Sequence, residues 1–145
     1  MKTGSSRSWI LVTLLTLVAL FLASCSGDGE APSVELTEFS VSVDPGNVDS
    51  GETTFAVENV GGVIHEFVVV KTDLDDADLP TAEDGSVDEE GEGIEPVDEI
   101  EDIGAGSSEE LTVDLDSGNY VLLCNIVEGD TIHYQKGMHT SLAVE

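Results

Sequence analysis

Cationic side chains are what this chain most lacks. Four Lys plus Arg stand against 31 Asp plus Glu, a formal net charge of −27 over 145 residues. Nucleic-acid binding requires basic groups that neutralise phosphates and release counterions, so that class of function is excluded. Cysteine is scarce as well. Two residues cannot build a disulfide framework, and neither a zinc-finger spacing nor a phosphate-binding P-loop is present. No segment sustains a helical repeat with capping residues at its ends. No Ser–His–Asp spacing stands out, and the many carboxylates form no resolvable acid–base pair, so nothing points to an enzyme. What is there is an apolar content of 40%, too high for a disordered polyanion. The length suits one domain with a single core.

The start of the chain reads as an address. Lys2 and Arg7 precede an almost unbroken apolar stretch from Trp9 to Ala23. That stretch is short of the roughly 20 residues a membrane-spanning helix needs, and it suits the apolar region of a signal peptide. It ends in Leu22-Ala23-Ser24-Cys25, which resembles the lipobox of bacterial lipoproteins. The resemblance implies cleavage before Cys25 and attachment of a diacylglycerol to its thiol. A single Arg gives no support for a twin-arginine signal. The expected organisation is a signal peptide over 1–24, a lipidated Cys25 with a flexible tether over 25–33, and a folded domain over 34–145. The protein is then extracytoplasmic and lipid-anchored to the cell membrane, and after cleavage only Lys71 and Lys136 offset the acids.

The folded part reads as β. Val34 to Val43 alternates partly, placing Phe39, Val41 and Val43 on one face. Asp44-Pro-Gly-Asn47 turns the chain into a second strand, Glu52 to Glu58. After the turn Asn59-Val-Gly-Gly62, the run His65-Glu-Phe-Val-Val-Val70 is apolar enough for a strand buried on both faces. Further strands are expected at Leu111–Leu115, Tyr120–Cys124 and Thr140–Val144. Between them lies an acidic insertion, about 73–102, in which 15 of 30 residues are Asp or Glu. Such a run repels itself and is expected in solvent, with Ile94, Val97, Ile100 and Ile103 able to pack one part of it down. Asp73-Leu-Asp-Asp-Ala-Asp78 lacks the glycine and closing Glu that an EF-hand calcium loop requires. The charge also suits a salty medium or the steering of a basic partner.

If Cys25 carries lipid, Cys124 is the remaining thiol of an exported protein, open to an intermolecular disulfide, inert burial or metal ligation. Its neighbourhood favours metal. His133 follows nine residues later, Met138 five after that, and His65 starts a strand elsewhere. One thiolate, two imidazoles and a thioether are the ligand set of a blue-copper site, a trigonal His₂Cys plane with a weak axial Met. Gln135 is a fallback axial donor, and His139, adjoining Met138, is expected to be a neighbour rather than a ligand.

Two segments carry a family likeness. Asn59-Val-Gly-Gly-Val-Ile-His65 resembles the Asn-x-Gly-x-x-x-His segment of cupredoxins. Tyr120-Val-Leu-Leu-Cys124-Asn125 followed by His133-Tyr134-Gln-Lys-Gly137-Met138 resembles their C-terminal Cys…His…Met loop. The likeness, to plastocyanin- and sulfocyanin-type domains, implies a Greek-key β-sandwich binding one mononuclear copper ion through His65, Cys124, His133 and Met138. It implies a single-electron carrier, with Cys124 leading into the protein and an exposed edge of His133 leading to a partner. A monomer anchored in the membrane and serving a basic cytochrome or oxidase domain is expected. Copper delivery to an oxidase and a metal-free binding module are the other readings. Relatives often run Cys-Asn-x-Pro-Gly-His-Tyr, whereas here Val127-Glu-Gly-Asp-Thr-Ile132 lengthens the spacing without proline. That loop is expected to expose the ion, loosen His133 or admit water.

Overall fold

Apolar side chains at every second position set most of the strands, and these close into a Greek-key β-sandwich of two mixed sheets. The computed structural model describes residues 31–145, so the expected signal peptide, Cys25 and the first part of the tether lie outside the described residues. In chain order the strands are β1 (Ser33–Thr37), β2 (Ser40–Asp44), β3 (Asn47–Val48), β4 (Gly51–Asn59), β5 (His65–Lys71), β6 (Glu95–Ile103), β7 (Ser108–Leu115), β8 (Gly118–Leu123), β9 (Val127–Glu128), β10 (Thr131–Ile132) and β11 (His139–Val144). One sheet runs β2-β1-β4-β7, the other β3-β11-β8-β5-β6, and β9 and β10 form a small hairpin of their own.

The main core lies between the sheets. On β4, Thr53, Phe55, Val57 and Asn59 are buried in alternation, and on β7 Leu111, Val113 and Leu115 do the same. Phe67 and Val69 of β5 and Tyr120, Leu122 and Cys124 from the β8 segment meet them from the other sheet. The second face of β5 and β8 is buried too, by Val68, Val70, Val121 and Leu123 packing with Leu79, Val87 and Tyr134. Strands covered on both faces lose their alternation, which is why these two read as continuous apolar runs.

That cover corrects the expectation of a solvated acidic insertion. Segment 72–94 turns its carboxylates outward and sends Leu79 and Val87 inward, 5% and 3% exposed. Tyr134 pins it, its hydroxyl accepting from the Leu79 N–H at 2.9 Å and donating to the Asp76 carbonyl at 3.0 Å. The rest of the insertion is β6, an edge strand on β5, with Ile103 buried and Val97 and Ile100 packed against the core. The single strand expected over Val34–Val43 is instead the β1–β2 hairpin, turning at Glu38-Phe39. Val41 is buried there, but Phe39 sits in the turn and is 37% exposed.

Pairing places one end of the sandwich apart from the rest. Leu123, the last residue of β8, pairs with Val68 near the start of β5 and with His139 at the start of β11. The start of β5, the end of β8 and the segment leading into β11 therefore meet at one end of the sheet.

Candidate metal centre

Three ligand-type atoms converge at that end. His65 Nδ1 lies 3.2 Å from His133 Nδ1. Cys124 Sγ lies 3.3 Å from His133 Nδ1 and 3.8 Å from His65 Nδ1. His65 and Cys124 are fully buried and His133 is 2% exposed. These three form the metal-capable cluster among the described residues.

Each side chain is delivered by an explicit local device. Asn59 closes the turn before His65. Its amide donates to the carbonyls of Val63 and Ile103, both at 2.8 Å, and its side-chain oxygen accepts from Gly61 N–H at 3.0 Å. The Asn of the sequence motif thus clamps the loop that aims the first histidine. Cys124 follows β8 directly, and its Sγ accepts from Glu66 N–H at 3.4 Å. The extended Cys124–His133 spacing folds as the β9–β10 hairpin, closed by His133 N–H donating to the Ile126 carbonyl at 3.0 Å. The expected loosening of His133 is therefore corrected, because two short paired strands hold the longer loop in the absence of proline. Between His133 and Met138 the chain makes one 3₁₀ turn, Tyr134–Lys136. It ends at Gly137 with φ of 113°, a conformation that favours glycine.

Met138 is fully buried and shares the core cluster with Cys124. Its carbonyl accepts Cys124 N–H at 3.0 Å and its N–H donates to the His133 carbonyl at 3.1 Å. Backbone hydrogen bonds thus tie Cys124, His133 and Met138 into one frame. Gln135 turns away from it, donating to the Gly85 carbonyl at 2.8 Å, which ends its candidacy as an axial donor. His139 engages Asp76 Oδ2 at 3.1 Å and lies beside Tyr134, the neighbour role expected of it. The exposed edge expected of His133 is narrow, the residue being 2% exposed. Phe39, 37% exposed, lies edge-on against that ring, centroids 5.4 Å apart.

Electrostatics in this cavity oppose charge on the bare side chains. Burial pushes the Cys124 thiol up to about 11. It also pushes both histidines below their ordinary range, with the proximity of His133 adding to the effect at His65. Two neutral imidazoles and a thiol offered to one small space are a poor hydrogen-bonding group, since the facing Nδ1 atoms share at most one proton. They fit a soft cation well. A cation among them deprotonates the thiol and takes the imidazoles in their neutral form. The residues present therefore fit a thiophilic, imidazole-binding metal ion.

Two further polar groups stand beside the cluster: Asn125, quoted above only as part of the Cys-Asn likeness, and Glu66, which nothing in the sequence marks. Glu66 Oε1 accepts Asn125 N–H at 2.6 Å. The Asn125 side chain in turn accepts Val87 N–H at 2.6 Å and donates to the Val87 carbonyl at 3.0 Å and to Glu89 at 2.9 Å, fastening the acidic cover to the Cys124 segment. Burial pushes the Glu66 carboxyl up to about 7. An acid with a raised folded value contributes stability that is present below its unfolded value and lost as pH rises through the folded one. Glu66→Gln is accordingly expected to stabilise the metal-free protein at pH 8 and to change little at pH 4. The gain is about 1–2 kcal/mol, less than the roughly 3 kcal/mol that so raised a carboxyl would represent in a dry site, because Glu66 keeps some solvent contact. Urea titrations at the two pH values check this, and an equal effect at both would refute the ionisation account. The depressed histidines act in the opposite sense, costing stability as pH falls below about 6.5.

No family model and no curated protein matches the chain. Solved structures do. An auracyanin from Roseiflexus castenholzii, reduced with dithionite, matches at a TM-score of 0.52 and 23% identity, over 81% of this chain and 99% of that one. A rusticyanin structure matches at a TM-score of 0.51 and 18% identity, over 81% of this chain and 79% of that one. These likenesses establish the cupredoxin fold that the two sequence segments led one to expect.

Proposed function

We propose that His65, Cys124 and His133, with Met138 as a fourth and weaker ligand, hold one copper ion, and that the protein carries single electrons. The observation that carries this reading is the convergence of two imidazole Nδ1 atoms and one thiol within 3.2–3.8 Å in a buried space. Soft sulfur suits Cu(I), imidazole suits Cu(II), and a frame fixed by backbone hydrogen bonds lets one geometry serve both. When bound, the ion supplies a reversible one-electron couple. The chain's part is to exclude water, to fix the donors and to offer a short covalent path from Cys124 into β8.

The cluster is closed by side chains rather than opened to a substrate, which favours a carrier over an enzyme. The half-exposed Phe39 ring and the narrow edge of His133 beside it are the surface that a redox partner would meet. The remaining cations, Lys71 and Lys136, cannot balance the acidic surface, and a basic cytochrome or oxidase domain is the complementary partner, with attraction that weakens as salt rises. Lipidation at Cys25, after removal of residues 1–24, would anchor this monomeric carrier to the outside of the cell membrane. The tether would then end before Pro32, whose carbonyl already accepts Ala56 N–H at 3.0 Å, and not at residue 33, which belongs to β1.

The visible spectrum of the Cu(II)-loaded soluble domain, compared with Cys124→Ser, tests the reading. An intense thiolate-to-copper band in the parent and its loss in the variant are expected. Weak absorption that the substitution leaves unchanged would place copper on surface carboxylates and remove the proposal.

A further inference from the structure

The far side of the His65 ring holds a group that the cluster itself does not explain. With Nδ1 turned toward Cys124 and His133, Nε2 points the other way, and it is a buried nitrogen with no hydrogen-bond partner among the described residues. The acceptor in reach is Glu38 Oε1, at 3.5 Å. Glu38 comes from the β1–β2 turn and is held by the ligand's own loop, its Oε1 accepting Gly62 N–H at 2.8 Å and Val63 N–H at 2.9 Å. The loop is shaped around it. A Cβ on Gly61 would stand 2.6 Å from Glu38 Oε1 and 3.0 Å from Oε2, so glycine at this position makes the room that the carboxylate fills. A buried N–H without an acceptor is costly, and the carboxylate that the loop holds is the acceptor nearest that nitrogen, 3.5 Å away.

We infer that Glu38 is a positioning residue for the metal centre: it holds His65 as the Nε2–H tautomer, leaving the Nδ1 lone pair for the ion, and its negative charge favours Cu(II) over Cu(I). The inference rests on the copper reading for its second half only. A carboxylate behind a ligating imidazole fixes the ring's orientation and raises its basicity. A fixed negative charge beyond the ring stabilises the ion of higher charge. The two loop N–H groups that Glu38 Oε1 accepts hold the carboxylate in place beside the ring.

Two substitutions separate the roles. Glu38→Gln keeps an oxygen for the loop N–H groups and for Nε2–H but removes the charge, whereas Glu38→Ala removes both. Long-range ¹H–¹⁵N correlation spectra of the metal-free protein at pH 8 report the His65 tautomer. The Nε2–H form is expected in the parent and in Glu38→Gln, and a mixture of tautomers in Glu38→Ala. An unchanged tautomer in Glu38→Ala overturns the positioning role, whatever metal the protein binds. Redox titration of the copper-loaded protein reports the charge. Glu38→Gln is expected to shift the relative affinity toward Cu(I) by about tenfold, the low end for a group behind a metal ligand, which is about 59 mV upward for a one-electron couple. A merely structural role for Glu38 would leave the potential of Glu38→Gln unmoved, and that result overturns the electrostatic half. If the parent shows no thiolate-to-copper band, the copper reading and the electrostatic half fall together, and the tautomer measurement still decides the first half.

Discussion

One equivalent of Cu(I), added without oxygen, raises the thermal midpoint of the protein by about 12–20 °C, and Cys124→Ala abolishes the rise. The size follows from linkage. A ligand that binds the folded chain alone and stands at a thousand times its Kd contributes about 4 kcal/mol, and a domain of this length gains roughly 3–5 °C per kcal/mol. The cost that the ion removes is visible in the cluster. The folded chain holds a desolvated thiol and two imidazoles within 3.2–3.8 Å of one another, where they satisfy each other poorly, while the unfolded chain leaves the same groups in water. Cys124→Ala removes one buried sulfur and its contact with Glu66 N–H. The metal-free variant is therefore expected to melt within about 5 °C of the metal-free parent, the effect of roughly 1 kcal/mol. Differential scanning calorimetry of both proteins, with and without Cu(I), makes the comparison. A copper-dependent rise that survives in Cys124→Ala would assign the binding to the acidic surface and not to the cluster.

How far such a centre is legible in a sequence depends on the rarity of its parts. With three histidines in the chain and Cys124 beside a strand end, the spacing of His65, Cys124, His133 and Met138 stands out against a background of acids and aliphatics. Glu38 cannot stand out in that way. It is one of 31 acids, and nothing local marks it, because its role is created when the β1–β2 turn is brought against the loop before His65. The turn itself is nearly silent. Its one trace is a change of phase, from Val34 and Leu36 at even positions to Phe39, Val41 and Val43 at odd ones; neither Glu38 nor Phe39 is a turn former, so one partly alternating strand is the natural reading. β6 is hidden for a different reason. Its apolar residues Val97, Ile100 and Ile103 recur at intervals of three because the pairing with β5 slips between His65 and Phe67 and again between Val69 and Val70, and each irregularity breaks the period of two. The double burial of β5 was legible in its unbroken apolar run. What covers it was not, since Leu79 and Val87 are single apolar residues among carboxylates.

Asn59→Ala is expected to cost about 3–5 kcal/mol of stability and to weaken copper binding at the same time, because this side chain joins the core to the site. Asn59 is fully buried at the end of β4. Its amide donates to Val63 in the ligand loop and to Ile103 at the end of β6, and its oxygen takes the Gly61 N–H. Alanine leaves two carbonyls and one N–H without these partners, at about 1–3 kcal/mol for each that stays dry. Water reaching the loop offsets part of that for Gly61 and Val63, whereas the Ile103 carbonyl is bonded in a buried setting, hence the intermediate total. The loop then loses its side-chain tie to β6 and keeps its bonds to Glu38 and the Val60 N–H bond to the Leu36 carbonyl, so His65 is held less firmly and the affinity for Cu(I) should fall about tenfold, as it does when the support of a metal ligand is removed. Urea unfolding measures the first effect and competition with a Cu(I) chelator the second. A variant as stable as the parent, with unchanged copper affinity, would show that the turn from Asn59 to His65 holds its shape through its backbone alone.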